Sequence, residues 1–183
     1  GFAGGRPLFK VEDTLEWVPE HQRTTLAYSF IDTLADMHVL DPDAIGLTSL
    51  GKKEDYIGRQ IKAWYRSWVA SVDYAELDDP RTHEFKDYFL ENQPAQVTAS
   101  VVHGDYYLHN CLFSSDSNVS AVLDWELATL GDPLADLGYT LRAWPEGFVF
   151  EVSCFERTLE MIATVLAMSP PGFSTSRRRS IFA

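Results

Sequence analysis

The stretch from Val101 to Trp125 constrains the chain more than any other. It reads V-V-H-G-D-Y-Y-L-H-N-C-L-F-S-S-D-S-N-V-S-A-V-L-D-W. Two short β-like runs, Cys111 to Phe113 and Val119 to Leu123, flank the polar cluster Ser-Ser-Asp-Ser-Asn, which suits a hairpin turn. A loop carrying His103, Asp105 and Asn110 feeds the first run, and Asp124 ends the second. Such a hairpin folds Asp124 back toward the loop, so the surrounding fold has to present this polar end in a cleft.

The flanking sequence is helical in period. After Pro19, Leu26, Phe30, Leu34 and Met37 recur at helical spacing, with Ala27 and Ile31 widening the stripe, and Asp41-Pro42 stops it. A second helix is expected where Ile57, Ile61, Trp64 and Trp68 share one face, which reads as core-facing. The acidic run Asp73, Glu76, Asp78 and Asp79 is expected to be a solvated loop ending at Pro80. A third helix is expected over Arg81 to Leu90, burying Phe85 and Phe89, followed by a linker from Asn92 to Ala99. Ser100 to Val102 reads as a short strand. Asp132 before Pro133 is placed to cap a further helix. A last helix is expected over Cys154 to Met168, with Phe155, Leu159, Ile162 and Leu166 on one face, before Pro170-Pro171-Gly172 breaks it. The expected fold class is mainly α with a small β-hairpin, an α+β architecture, in a single domain over residues 1–183. Gly1 to Lys10 reads as a connector.

Composition excludes several functions. With 45% hydrophobic and 13% aromatic residues, the 183-residue chain can bury a core and does not read as disordered. A formal charge of −12 argues against a nucleic-acid partner, which needs a basic face. The apolar run Met161 to Met168 is interrupted by Thr164 and too short to span a bilayer, so no membrane partner is expected. Gly1 to Lys10 lacks a secretory signal pattern. Cys111 and Cys154 form neither a disulfide framework nor a zinc spacing. A cytoplasmic location is the expectation.

The polar constellation has a chemistry. Two carboxylates and one amide, folded together by a turn, suit magnesium-dependent phosphoryl transfer, in which the protein mainly positions groups and neutralises charge. Asp105 would orient the attacking hydroxyl or take its proton, and Asn110 and Asp124 would hold Mg²⁺. The same loop also admits a transition-metal reading, H-x-D-x3-H, through His103, Asp105 and His109, as in a zinc-dependent hydrolase.

V-H-G-D-Y-Y-L-H-N-C-L-F followed by A-V-L-D-W-E-L-A-T-L-G-D-P-L-A-D-L resembles the catalytic core of the aminoglycoside phosphotransferase/choline kinase-like family. The likeness is nearest to the subgroup also found fused to acyl-CoA dehydrogenases, and it extends upstream through G-G-R-P-L-F, A-D-M-H-V-L-D-P-D-A-I-G-L and R-Q-I-K-A-W-Y-R-S-W. The resemblance implies the C-terminal lobe of a protein-kinase-like fold and an ATP- and Mg²⁺-dependent kinase acting on a small-molecule hydroxyl. By position it makes Asp105 the catalytic aspartate, Asn110 and Asp124 the metal ligands, and His103 and Asp136 loop supports. Trp125 stands where protein kinases usually carry Phe. The nucleotide lobe, with its phosphate-covering loop and strand lysine, would precede Gly1, and the family pattern runs on past Ala183. The chain alone is therefore expected to bind ATP poorly and to be nearly inactive. A non-catalytic pseudokinase-like binding module is the alternative. The acidic charge suggests a cationic acceptor, whereas the subgroup resemblance suggests a hydroxylated acyl compound.

Overall fold

A computed structural model describes residues 3–76 and 78–141. One long helix organises them. Helix α1 (Val11–Trp17) and a 3-10 turn (Glu20–Gln22) lead into α2 (Arg23–His38), whose stripe Leu26, Phe30, Ile31, Leu34 and Met37 is buried as the spacing requires. α2 ends at His38, three residues before Asp41, where Val39 N–H closes on Ala35 O at 3.0 Å. Helices α3 (Tyr56–Ala75) and α4 (Pro80–Glu91) follow, and Asp79 caps α4 by accepting from Arg81 N at 3.0 Å.

The β structure is two small antiparallel sheets. Strand β1 (Ser100–Val102) pairs with β4 (Thr129–Gly131), with Val101 opposite Leu130. Strands β2 (Cys111–Phe113) and β3 (Val119–Val122) form the expected hairpin, with a register irregularity between Leu112 and Phe113. Arg6 and Phe113 exchange backbone hydrogen bonds at 2.9 and 3.0 Å, which lays the connector along β2. Helix α5 (Leu134–Leu141) closes the described part, and Leu134 N donates to Asp132 Oδ1 at 2.9 Å, the expected cap. The last expected helix, Cys154 to Met168, lies outside the described residues. Among the described residues no helix is long and apolar enough to cross a membrane.

The core sits between α2 and the two sheets. Phe30 and Tyr106 stack at 4.6 Å, and the Tyr106 hydroxyl donates to Phe30 O at 2.6 Å, so the ring buries its area without an unpaired O–H. Leu34, Phe113 and Leu130 are fully buried; each contributes about 1.5–3 kcal/mol by leaving water.

The α3–α4 pair departs from expectation. Trp64 is 67% exposed, Phe85 56% and Phe89 53%, so neither the Trp64 face nor the two phenylalanines reach the core. The apolar face of α3 turns toward α4 instead. Ile57, Ile61, Trp68, Phe85 and Phe89 line an open cleft of about 540 Å³ between them. Helical period told which residues share a face, and could not tell what that face meets.

α3 is anchored at its first residue. The Tyr56 ring lies where a side chain on Gly131 would stand, and Arg59 donates to Leu130 O at 3.4 Å. Gly131→Ala is therefore expected to cost about 1–3 kcal/mol, as overpacking does. Gly4→Ala, which meets nothing within 4 Å, should change stability little. Urea midpoints of the two variants check this.

Burial also sets an alkaline limit. It pushes Tyr56 up to about 12 and Cys111 up to about 12, from ordinary values of 10.0 and 9.0, and raises Tyr106 as well. The folded chain thus holds protons that the unfolded chain has already released. Stability is expected to be full below about pH 9 and to fall as pH rises toward 12. A urea midpoint that stays flat from pH 8 to 11 would contradict this.

Candidate active site

The loop after β1 is held by one buried carboxylate. Asp136, on the first turn of α5, is 1% exposed. Its Oδ2 accepts from His103 N at 2.7 Å and its Oδ1 from Gly104 N at 2.8 Å, which clamps two successive loop amides. His38, the last residue of α2, donates from Nε2 to Asp136 Oδ2 at 3.1 Å, and is itself 2% exposed. Its other ring nitrogen, Nδ1, is buried without a partner. Thr140, one helical turn beyond Asp136, donates to Tyr106 O at 2.9 Å. α2 and α5 thus grip the loop from two sides. Gly104 permits the sharp entry: its φ is +85°, and a Cβ there would stand 3.0 Å from both Leu127 Cβ and Leu127 O.

His103 is fully buried and uses both ring nitrogens. Nε2 donates to Leu123 O at 2.8 Å, and Nδ1 accepts from Asp105 N at 3.3 Å, which defines the tautomer. The Trp125 ring stands 4.8 Å away. The residue expected to open the loop therefore ties it to the residue before Asp124. With neither nitrogen free, His103 is no metal ligand. Among the described residues no group of three or more His, Cys, Asp or Glu side chains gathers to hold a metal. The H-x-D-x3-H reading loses its first ligand.

Asp105 and Asn110 meet at one end of the hairpin, and Asp124 follows them in the chain next to Leu123, which is tied there. Asn110 Nδ2 donates to Asp105 O at 2.9 Å and to Asp105 Oδ2 at 3.0 Å. That leaves the amide oxygen of Asn110 turned away from Asp105. Asp105 Oδ1 is buried with no partner, an arrangement that costs about 1–3 kcal/mol and recurs where a group waits for a ligand. Leu123 N donates to Asn110 O at 2.7 Å, so the residue before Asp124 is fastened to Asn110 itself. Asp124 is exposed and takes a left-handed backbone, φ 63° and ψ 57°, uncommon for a residue with a side chain. His109 Nε2 lies 3.9 Å from Asp105 Oδ2, and the Phe9 ring stacks 6.2 Å from His109.

The hard oxygen donors present, an amide oxygen and an exposed carboxylate, suit Mg²⁺, which takes few protein ligands. Of the sequence candidates, Asp105 and Asn110 are in direct contact, Asp124 follows the Leu123 that is tied to Asn110, and His103 and Asp136 brace the loop. Sequence reasoning missed His38. Its signal was a histidine four residues after Leu34 on an otherwise apolar helix face, where a buried polar group needs a partner.

A helical lobe with two short antiparallel sheets, one of them carrying this loop and hairpin, is the C-terminal lobe of a protein-kinase-like phosphotransferase. Residues 4–153 match the phosphotransferase enzyme family known as APH, and the chain belongs to it. It is similar to acyl-CoA dehydrogenase family member 11 of Gallus gallus, 35% identical over 144 residues, covering 73% of the chain and 18% of that protein. A Ralstonia eutropha protein provisionally assigned as an aminoglycoside phosphotransferase is 29% identical, with a TM-score of 0.72 over 93% of the chain and 55% of its own. The macrolide 2'-phosphotransferase MphH of Brachybacterium faecium is 25% identical, with a TM-score of 0.56 over 93% of the chain and 54% of its own. The chain thus spans about half of those solved structures and under a fifth of the chicken relative.

Proposed function

We propose that this chain supplies the acceptor-activating side of a kinase that moves the γ-phosphoryl group of ATP to a hydroxyl of a small molecule. The observation that carries this is the Asp105 carboxylate, with one oxygen held by Asn110 and the other buried and unpaired. Asp105 Oδ1 would accept the hydroxyl proton. The hydroxyl oxygen then bonds to the γ-phosphorus as the bond to the β–γ bridging oxygen breaks, and ADP leaves. Asn110 holds Asp105 in register through Nδ2 and offers its amide oxygen, with the Asp124 carboxylate, to Mg²⁺. The metal, when bound, neutralises phosphate charge. Asp136 and His103 fix the loop, so that Asp105 needs no reorganisation at the moment of transfer.

The relatives named as acyl-CoA dehydrogenases favour hydroxylated acyl compounds as acceptors, and the named antibiotic phosphotransferases make aminoglycosides and macrolides the competing class. The test uses the longest natural polypeptide that carries this sequence. It is incubated with ATP and each acceptor class, and ³¹P NMR follows the phosphorus. Magnesium-dependent formation of ADP with a new phosphomonoester is the expected result. Acceptor binding without ADP formation across both classes would replace the kinase with a binding module.

A further inference from the structure

The chemistry given to Asp105, Asn110 and Asp124 leaves His109 without a task. His109 leaves the same 3-10 turn as Asn110, Leu108–Asn110, which Asn110 N closes on Tyr107 O at 2.9 Å. Its Nε2 lies 3.9 Å from Asp105 Oδ2. That is close enough to feel the carboxylate and too far for a hydrogen bond. Asp105 Oδ2 already accepts from Asn110 Nδ2 at 3.0 Å. The His109 nitrogen beside the carboxylate is therefore not spent on it.

The ring is held in place. Phe9 stacks on it nearly parallel, at 11° and 6.2 Å, and the Tyr107 ring stands 5.3 Å away. Phe9 is fixed in turn, since its N–H donates to Asp13 Oδ2 at 3.0 Å and its neighbour Leu8 is buried. With its side chain 33% exposed, His109 is open to a ligand. The tautomer follows from the neighbour. A lone pair on Nε2 would face a carboxylate oxygen, so the proton sits on Nε2 and makes it a donor. An imidazole nitrogen is softer than the oxygen ligands Mg²⁺ takes, which leaves His109 outside the metal set.

On the footing that Asp105 takes the proton of the acceptor hydroxyl, we propose that His109 is a specificity residue for the acceptor. Its Nε2–H donates to a second oxygen on a carbon near that hydroxyl. An ammonium group in the same place has only N–H donors to offer and finds no lone pair. The site thus selects a hydroxyl neighboured by an oxygen over one neighboured by an ammonium group.

Three probes with one carbinol in common test this. Methyl 3-hydroxybutanoate places a carbonyl near the hydroxyl, 4-amino-2-butanol an ammonium group, and 2-pentanol neither. The longest natural polypeptide carrying this sequence is incubated with ATP, Mg²⁺ and each probe, and ³¹P NMR follows the phosphomonoester. kcat/KM for methyl 3-hydroxybutanoate should exceed that of the other two by about ten-fold, the worth of one hydrogen bond. His109→Phe keeps a ring against Phe9 and Tyr107 and lacks the N–H. It should erase the preference through a higher KM for the ester, with the KM for ATP unchanged. His109→Gln, whose side-chain amide again offers N–H, should restore most of it. A wild type without preference for the ester, transfer to none of the three included, would overturn the proposal, as would a preference that persists in His109→Phe. Failure to form ADP with any hydroxylated acyl compound, aminoglycoside or macrolide would instead remove the kinase reading, and the role of His109 with it.

Discussion

Asp105→Asn is expected to lower kcat for phosphoryl transfer by about 10²- to 10⁴-fold, the range that a positioned base supplies. The substitution keeps shape and replaces one oxygen by an amide nitrogen. Asn110 Nδ2 now donates to Asp105 Oδ2 at 3.0 Å, and the carboxamide can keep that contact through its remaining oxygen. The group that then faces the acceptor is a donor, unable to take the hydroxyl proton. Folding should survive, because the backbone bonds of Asp105 to Asn110 and to His103 Nδ1 are untouched. The expected pattern is therefore a large fall in kcat, a KM for acceptor within a few-fold of wild type, and an unaltered urea midpoint. Steady-state kinetics beside a denaturation curve check all three. Unchanged turnover would remove Asp105 from the chemistry.

The second large effect is on stability. Asp136→Ala is expected to destabilise the fold by about 3–5 kcal/mol, since each buried donor left unpaired costs about 1–3 kcal/mol. One carboxylate accepts from His38 Nε2, His103 N and Gly104 N, and its removal leaves three buried donors unpaired. Asp136→Asn should be milder, since an amide oxygen still serves one or two of them. His38→Ala should lie between, because the loop amides keep their acceptor. Urea unfolding of the three variants tests this order, with Asp136→Ala the least stable, His38→Ala next and Asp136→Asn the mildest. A loss of under about 1 kcal/mol for Asp136→Ala, the size of one ordinary hydrogen bond, would show that the carboxylate does not brace the loop.

Much of this was legible in the sequence, for definable reasons. Short-range chemistry was clear. The Ser-Ser-Asp-Ser-Asn turn specified the β2–β3 hairpin, Asp132 before Pro133 specified the α5 cap, and the Leu26-to-Met37 stripe specified a core helix. The Asp105–Asn110 contact followed from the five-residue loop spacing, and the hairpin returns the chain so that Leu123 bonds to Asn110. Partners distant in sequence were not legible. β4 pairs with β1 across about thirty residues, and three-residue strands carry too little alternation to announce themselves. His38 meets Asp136 across 98 positions, and no local pattern ties an α2 terminus to α5. The Trp64, Phe85 and Phe89 error has a similar origin. Periodicity establishes that residues share a face, while burial depends on what the rest of the chain brings to it.

The metal dependence of transfer is decisive for the proposed site. In the proposed function Asp105, Asn110 and Asp124 act as one magnesium-dependent site at the end of a braced hairpin. Asp124→Asn keeps one oxygen donor and removes the charge that a divalent cation favours. In the longest natural polypeptide carrying this sequence, the Mg²⁺ concentration giving half-maximal transfer from ATP should rise at least ten-fold in Asp124→Asn, with the acceptor KM little changed. A half-maximal concentration equal to that of the wild type, or transfer that persists in excess EDTA, would contradict the account.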